Sequence, residues 1–218
     1  MLNNIPIPAE PVHNKQPDLW RDRGDAMLEM RYPEDALRSY DSAFEYDGDT
    51  ATLWSKRCNV MTSFGHSEEV VRCYDSVIKY DKGKFKAWNE RGNALLKLKR
   101  YREAVLSYDK ASELSSDYCT NAPSRGAALL GIGDTLGALL NFERALKNGC
   151  RTFSVWFGRA LVLIMMDSLE SALASCDSAI SINSSDAVID VYVMTRKYIL
   201  NEDSLSVRKN RGVLSIER

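Results

Sequence analysis

Three carboxylates near the N-terminus have the spacing that acid–base catalysis would require. Asp22, Asp25 and Glu29 lie at i, i+3 and i+7, so a helix would place them on one face. With Arg21 and Lys56 as neighbours, they are more typical of a solvated, salt-bridged wall than of a catalytic cluster. We therefore expect no catalysis from them.

Residues for metal binding or nucleophilic catalysis are scarce. The chain has two histidines, His13 and His66, and an odd number of cysteines without a C-x-x-C pair. A zinc site or a Cys–His pair has almost nothing to be built from, so we expect no metal, no cofactor and no enzyme. The scattered cysteines predict reduced packing thiols in a reducing compartment, without disulfides. They are Cys58, Cys73, Cys119, Cys150 and Cys176.

Composition excludes several classes of partner. A net charge of −1 supplies no basic excess for nucleic acid. The most apolar run, VWFGRALVLIMM at 155–166, is too short to span a bilayer and contains Arg159. The start, MLNNIPIPAEPV, lacks the basic and continuously apolar parts of a secretory signal. We expect a cytoplasmic protein that does not insert into membranes.

All four tryptophans share one 34-residue phase, which indicates an internal repeat. An Arg follows each phase position three residues later, usually with a small residue after it. Further along each copy come Ala, Tyr and Ala, or close substitutes. The phase positions are Trp20, Trp54, Trp88, Ala122 and Trp156, and the arginines are Arg23, Arg57, Arg91, Arg125 and Arg159.

Apolar spacing inside each copy predicts two helices. In the third copy Trp88, Gly92 and Leu95 mark one helical face, and Ala104, Tyr108 and Ala111 mark another. Turn residues separate the copies, and Pro33 suits the first turn of a second helix. GIGDTLG at 131–137 falls at such an inter-helix turn without a preceding strand, so it is not a dinucleotide-binding loop.

W-x-x-R-G, followed by Ala, Tyr and Ala at these offsets, resembles the tetratricopeptide repeat (TPR) family. The resemblance implies an all-α, right-handed α-solenoid of stacked helix-turn-helix repeats with a C-terminal capping helix. It also implies that AWNERGNALL at 87–96 packs helix on helix. The predicted segments are an extended, Pro-containing part (1–16), repeats at 17–50, 51–84, 85–118, 119–152 and 153–186, a capping helix (187–200) and a C-terminal tail (201–218).

The resemblance implies a non-enzymatic scaffold or adaptor that binds a partner peptide or helix in a groove lined by the first helices. Chaperone-like shielding of a client segment and self-association into a homo-oligomer are the alternatives. The groove should begin polar and mixed in charge and end apolar. Its predicted residues are Arg21, Asp22, Asp25, Lys56, Asn59, Lys86, Asn89, Glu90, Asn93, Leu130, Phe157, Leu161, Ile164 and Met165.

Some TPR proteins bind the acidic C-terminal tail of heat-shock chaperones through a carboxylate clamp of Lys, Asn and Arg. In the frame of copies one to three Asp25 and Glu90 occupy clamp positions, where they would repel a carboxylate, and no other frame supplies a clamp. We therefore expect protein partners other than a chaperone tail.

Two structural predictions follow from the repeat. The in-phase arginines and a second in-phase series of acids should form an inter-helix ladder. The apolar end of the groove should be the main contact surface, unless the capping helix or Ile5–Pro8 covers it. The acids are Asp41, Asp75, Asp109, Glu143 and Asp177.

Overall fold

The computed structural model describes residues 17–45, 50–115, 118–183, 189–195 and 197. This part of the chain is all-α, with ten helices of two or more turns and no strand, as predicted. The helices are α1 (Pro17–Glu29), α2 (Pro33–Phe44), α3 (Thr50–Phe64), α4 (Ser67–Tyr80), α5 (Phe85–Lys97), α6 (Tyr101–Leu114), α7 (Tyr118–Gly131), α8 (Thr135–Lys147), α9 (Phe153–Met165) and α10 (Leu169–Ile182). The predicted segments 1–16 and 201–218 lie outside the described residues.

The chain forms two compact units, Met1–Ser115 and Ser116–Arg218. In unit 1 the hairpins α1–α2, α3–α4 and α5–α6 each pack against the next in chain order. In unit 2 the hairpins α7–α8 and α9–α10 pack together. Residues 189–195 are helical where a capping helix is predicted, and Val191 and Tyr192 pack against the α9–α10 cluster of Ala160, Cys176 and Ala179.

In every helical hairpin the turn contains one residue with a positive φ, and these residues recur with the 34-residue period. Their φ angles lie between 58° and 83°. In four of the five turns the next amide donates to the carbonyl five residues before it, as from Arg100 N to Leu95 O at 2.9 Å. Because the period sets this backbone geometry, non-glycine residues adopt it too. The five residues are Arg31, Gly65, Lys99, Gly133 and Asp167.

The small residue after the repeated Arg allows the second helix to approach. A Cβ on Gly92 would come within 2.6 Å of the Tyr108 ring, and Tyr108 itself is fully buried. Ala104 and Ala111 on α6 are also fully buried. AWNERGNALL is therefore a packing motif, as predicted.

The arginine–acid ladder is confirmed inside both units. Arg57 Nε donates to Asp41 at 2.8 Å, and Arg91 Nε donates to Asp75 at 2.7 Å. In unit 2 an Arg159 guanidinium nitrogen lies 3.4 Å from Glu143. Each pair joins a first helix to the second helix of the preceding copy.

Four of the five in-phase arginines also bond the second helix of their own copy. Arg91 donates to the Ser107 hydroxyl at 2.7 Å, and Ser107 is fully buried. The guanidinium therefore bridges three helices, α4, α5 and α6, with its planar set of donors. Matching bonds run from Arg23 to Ser39, from Arg125 to Asn141 and from Arg159 to Ser175.

The prediction of reduced, unpaired cysteines was wrong for four of the five. Cys58 on α3 is bonded to Cys73 on α4, with Cα atoms 5.6 Å apart, and Cys119 on α7 is bonded to Cys150 before α9. The first pair occupies the positions held in the third copy by Gly92 and Ser107. Cys176 is free and buried. Disulfides are typical of oxidising compartments, so the cysteines no longer support the predicted cytoplasmic location.

Candidate functional site

The predicted binding residues of unit 1 lie on its first helices, α1, α3 and α5. Helical periodicity places Lys86, Asn89, Glu90 and Asn93 on one side of α5. We call the set the A-helix face of unit 1. It comprises Arg21, Asp22, Asp25, Lys56, Asn59, Lys86, Asn89, Glu90 and Asn93.

An ion pair ties α1 to α3 on this face. Lys56 Nζ lies 2.8 and 2.9 Å from the two Asp25 carboxylate oxygens, and the Tyr40 hydroxyl donates to Asp25 at 2.7 Å. Burial opposes ionisation of Asp25, but the hydrogen bonds from Lys56 and Tyr40 outweigh it and lower the Asp25 pKa. The ionised carboxylate is thus held by two donors.

Arg21 is held within α1. Its guanidinium bonds Asp18 at 2.6 Å and Asp22 at 3.1 Å. Two of the three carboxylates with catalytic spacing, Asp22 and Asp25, are therefore salt-bridged. This agrees with their interpretation as a salt-bridged wall.

Tyrosine hydroxyls from the second helices support the polar residues of this face from below. The Tyr74 hydroxyl donates to Asn59 Oδ1 at 2.9 Å, and the Tyr108 hydroxyl donates to Asn93 Oδ1 at 2.9 Å. Asn93 Nδ2 donates in turn to Glu90 at 3.2 Å. Burial, with a smaller contribution from the Glu90 charge, raises the pKa of Tyr74 to about 12.

Sequence reasoning missed these Tyr–Asn and Tyr–Asp pairs, although the repeat contains their signal. Each tyrosine follows its partner by 15 residues in the first three copies. In the last two copies the same positions hold Ala127 with Phe142, and Leu161 with Cys176. The tyrosine donor and its Asn or Asp acceptor are thus both absent from the last two copies, where the predicted binding residues change from polar to apolar.

Asn89 has the most unusual environment on the face. Its side chain is 6% exposed, and its Oδ1 is buried without a hydrogen-bond partner among the described residues. A buried carbonyl oxygen without a donor costs about 1–3 kcal/mol. The oxygen is therefore an acceptor whose hydrogen bond is not met among the described residues, and the atom has almost no solvent exposure in this conformation.

The predicted apolar residues of unit 2 divide into two groups. Phe157 stacks on Phe153 with ring centroids 5.5 Å apart, and it packs on the α9–α10 cluster together with Val191 and Tyr192. Leu161 is 36% exposed and Met165 is 62% exposed. Phe157 therefore contributes to the core, whereas Leu161 and Met165 remain at the surface. Leu130 lies on α7 and is half-buried.

Leu161 and Ile164 line an apolar pocket of about 490 Å³ in unit 2. The helical residues 189–195 form its other side. The segment predicted as a cap thus leaves a cavity beside α9. The pocket is lined by Leu161, Ile164, Asp167, Leu169, Val191, Met194 and Thr195.

Two other kinds of feature, a metal site and a membrane-spanning helix, are absent from the described residues. They contain no group of three or more His, Cys, Asp or Glu side chains that could hold a metal ion. None of their helices is long and apolar enough to cross a membrane.

Models of the tetratricopeptide repeat family match residues 85–118 and 124–187. The chain carries tetratricopeptide repeats. The TPR resemblance predicted from the Trp and Arg phase is thereby confirmed, and TPR proteins in general mediate protein–protein interactions. No curated protein matches the chain.

Solved structures share the TPR fold at low sequence identity. The structure of YrrB, described as a TPR protein with an unusual peptide-binding site, is 19% identical with a TM-score of 0.71, covering 85% of this chain and 94% of YrrB. MamA from Desulfovibrio magneticus RS-1 is 18% identical with a TM-score of 0.71, covering 81% of this chain and 99% of that chain. PilF of Pseudomonas aeruginosa is 19% identical with a TM-score of 0.71, covering 88% of this chain and 87% of that chain.

Proposed function

We propose that the protein is a non-enzymatic adaptor, and that the A-helix face of unit 1 binds an extended peptide segment of a partner protein. The observation that carries this proposal is the buried, unpartnered Oδ1 of Asn89. Rotation of the Asn89 side chain toward the face would let a peptide backbone N–H reach this oxygen and remove the cost of leaving it unpaired.

Asn59 complements Asn89 in hydrogen-bonding character. Its Oδ1 is occupied by Tyr74, and its side chain is exposed, so its Nδ2 can donate to a ligand carbonyl. A donor on α3 and an acceptor on α5 match the alternating C=O and N–H groups of an extended chain. The tyrosine beneath Asn59 fixes its orientation, which reduces the entropy lost on binding.

Charges on the face favour a peptide of mixed or neutral charge. Lys56 is engaged by Asp25 and so supplies no free cation for an acidic tail, and the Glu90 carboxylate beside Asn93 would repel such a tail. Lys86 is exposed in the first turn of α5. YrrB, which shares the fold, is itself described as having a peptide-binding site, and this supports a peptide ligand here.

Peptide display on the full chain tests the proposal. Peptides selected on the wild-type protein are labelled, and their affinity is measured by fluorescence anisotropy for Asn89→Ala, Asn59→Ala and the control Asn183→Ala, an exposed residue of unit 2. We expect at least about tenfold weaker binding for both unit 1 variants, equal to about 1.4 kcal/mol, and no change for the control. Equal affinity for all three variants would exclude this face as the binding site.

A further inference from the structure

We propose that the pocket of unit 2 binds a basic amphipathic helix of a partner protein, independently of the peptide proposed for unit 1. Five of the seven lining residues are apolar: Leu161, Ile164, Leu169, Val191 and Met194. A volume of about 490 Å³ lies within the range of pockets that accept a ligand group. The pocket can therefore take large apolar side chains from one face of a helix.

The pocket wall has two polar residues, Asp167 and Thr195, and the Thr195 hydroxyl is already hydrogen-bonded. The Thr195 hydroxyl donates to Val191 O at 2.8 Å, and Thr195 is buried. It therefore offers little to orient a small polar ligand. The five apolar residues of the wall favour aliphatic or aromatic side chains, which need no hydrogen-bonding partner.

Methionines at the surface of unit 2 make this region adaptable. Met194 on the pocket wall is 70% exposed, Met165 on α9 is 62% exposed and Met166 is 39% exposed. Unbranched methionine side chains adjust to different apolar partners and are common on surfaces that bind amphipathic helices. Such exposed apolar side chains are unfavourable in water without a partner.

The charges around the pocket determine which helix fits. Asp167 lines the pocket, Glu170 follows the lining residue Leu169, and Asp190 lies one helical turn before Met194. Lys197 lies one turn after Met194 and is the one basic residue of this segment among those that the structure describes; Arg196 precedes it in the sequence. Among the described residues around the pocket three are acidic and one is basic, and this excess of acid complements lysine and arginine flanking the apolar stripe of a partner helix.

A pair of synthetic helices serves as the probe. Both carry leucine at i, i+3, i+4 and i+7, and their other positions are lysine in one peptide and glutamate in the second. Anisotropy with the full chain should show binding of the lysine peptide that weakens with added salt, and at least about tenfold weaker binding of the glutamate peptide. Equal binding of the two peptides would overturn the proposal.

Variants locate the binding site. Met194→Ser should weaken binding of the lysine peptide at least about tenfold, whereas Leu140→Ser, at an exposed leucine on α8, should leave it unchanged. Asp167→Asn should reduce both the affinity and its salt dependence. Circular dichroism confirms that each variant is folded. Equal affinities of Met194→Ser and Leu140→Ser would overturn the proposal.

Two alternative occupants of the unit 2 pocket would give different experimental results. If the protein is a dimer by light scattering and Met194→Ser makes it monomeric, a second copy occupies the pocket and the proposal fails. If Leu214→Ser with Ile216→Ser raises the peptide affinity about tenfold, the chain's own C-terminal segment is the occupant, which also overturns it. Asn89→Ala should not affect the lysine peptide, so failure of the unit 1 proposal is distinguished from failure here.

Discussion

The Tyr108 hydroxyl donates a hydrogen bond to Asn93 Oδ1 across the α5–α6 hairpin, at 2.9 Å. The tyrosine ring packs over Gly92 at the same time. One side chain therefore fills the gap between the two helices and fixes an amide on the proposed binding face. In unit 2 Phe142 packs over Gly126 in the same way, but it has no hydroxyl.

Tyr108→Phe should destabilise unit 1 by about 1 kcal/mol, because Asn93 loses a buried donor while the ring still fills its space. The matched control is Tyr101→Phe on the same helix, since the Tyr101 hydroxyl makes no hydrogen bond within the described residues. The measurement is urea denaturation followed by circular dichroism. A similar loss in both variants would show that the hydrogen bond contributes nothing specific.

Arg91→Lys should cost about 1–2 kcal/mol, because a lysine cannot bond Asp75 and Ser107 at once as the guanidinium does. Arg102→Lys, at an exposed position on α6, is the control and should be neutral. Denaturant midpoints compare the two variants. If Arg91→Lys is as stable as the control, the ladder is a set of independent surface contacts.

Gly65→Ala should destabilise the protein by about 1 kcal/mol, because the turn holds Gly65 at a φ of 77°. No heavy atom lies near the position of the added Cβ, so the cost would come from the backbone alone. Gly83→Ala is the control, since Gly83 lies in a turn of the same unit without a positive φ. Thermal denaturation should separate the two variants, and equal melting temperatures would contradict this account.

Much of the architecture was predictable because packing repeats with the sequence. The apolar spacing within each copy predicted the helices, and the in-phase arginines and acids predicted the ladder, since a residue at a fixed place in each copy meets equivalent neighbours. The same alignment of copies would have brought Cys58 and Cys73 together, had their positions been compared with Gly92 and Ser107. Their separation of 15 residues gives no sign of the bond by itself, because the two cysteines come together only when α3 packs against α4.

Other features depend on details that no period contains. Cys119 and Cys150 meet because α7 begins beside the residues that precede α9, and loop paths of this kind are not periodic. The pocket depends on how residues 189–195 pack against α9, leaving Met194 exposed while Val191 packs on the core. The buried oxygen of Asn89 likewise follows from local packing, and its residue type alone gives no sign of it.

The disulfides predict that one of the five cysteines, Cys176, has a free thiol. Alkylation of the denatured, non-reduced protein followed by mass spectrometry should label one cysteine, and prior reduction should label all five. Reduction should also lower the melting temperature, because a closed loop of about 15 residues contributes roughly 3 kcal/mol. Labelling of five cysteines without reduction would exclude both bonds in the isolated protein.

The raised pKa of Tyr74 predicts that the folded protein loses stability at alkaline pH. Burial, then the Glu90 charge, raises its pKa from 10.0 to about 12, so the folded state favours the neutral phenol. Below pH 10 the phenol is neutral in both states, and its contribution to the free energy of unfolding is fully present. As the pH rises from 10 to about 12, the unfolded state ionises first, and the contribution is lost.

Guanidinium denaturation across this pH range measures the effect. We expect Tyr74→Phe to be less stable than wild type at neutral pH, because Asn59 loses its donor, but to lose less stability as the pH rises. Tyr32→Phe, at an exposed tyrosine in unit 1, is the control and should follow the wild-type curve. Parallel curves for Tyr74→Phe and wild type would mean that other groups cause the alkaline loss. A shallower curve for Tyr74→Phe alone would assign the loss to the buried phenol beneath the proposed binding face.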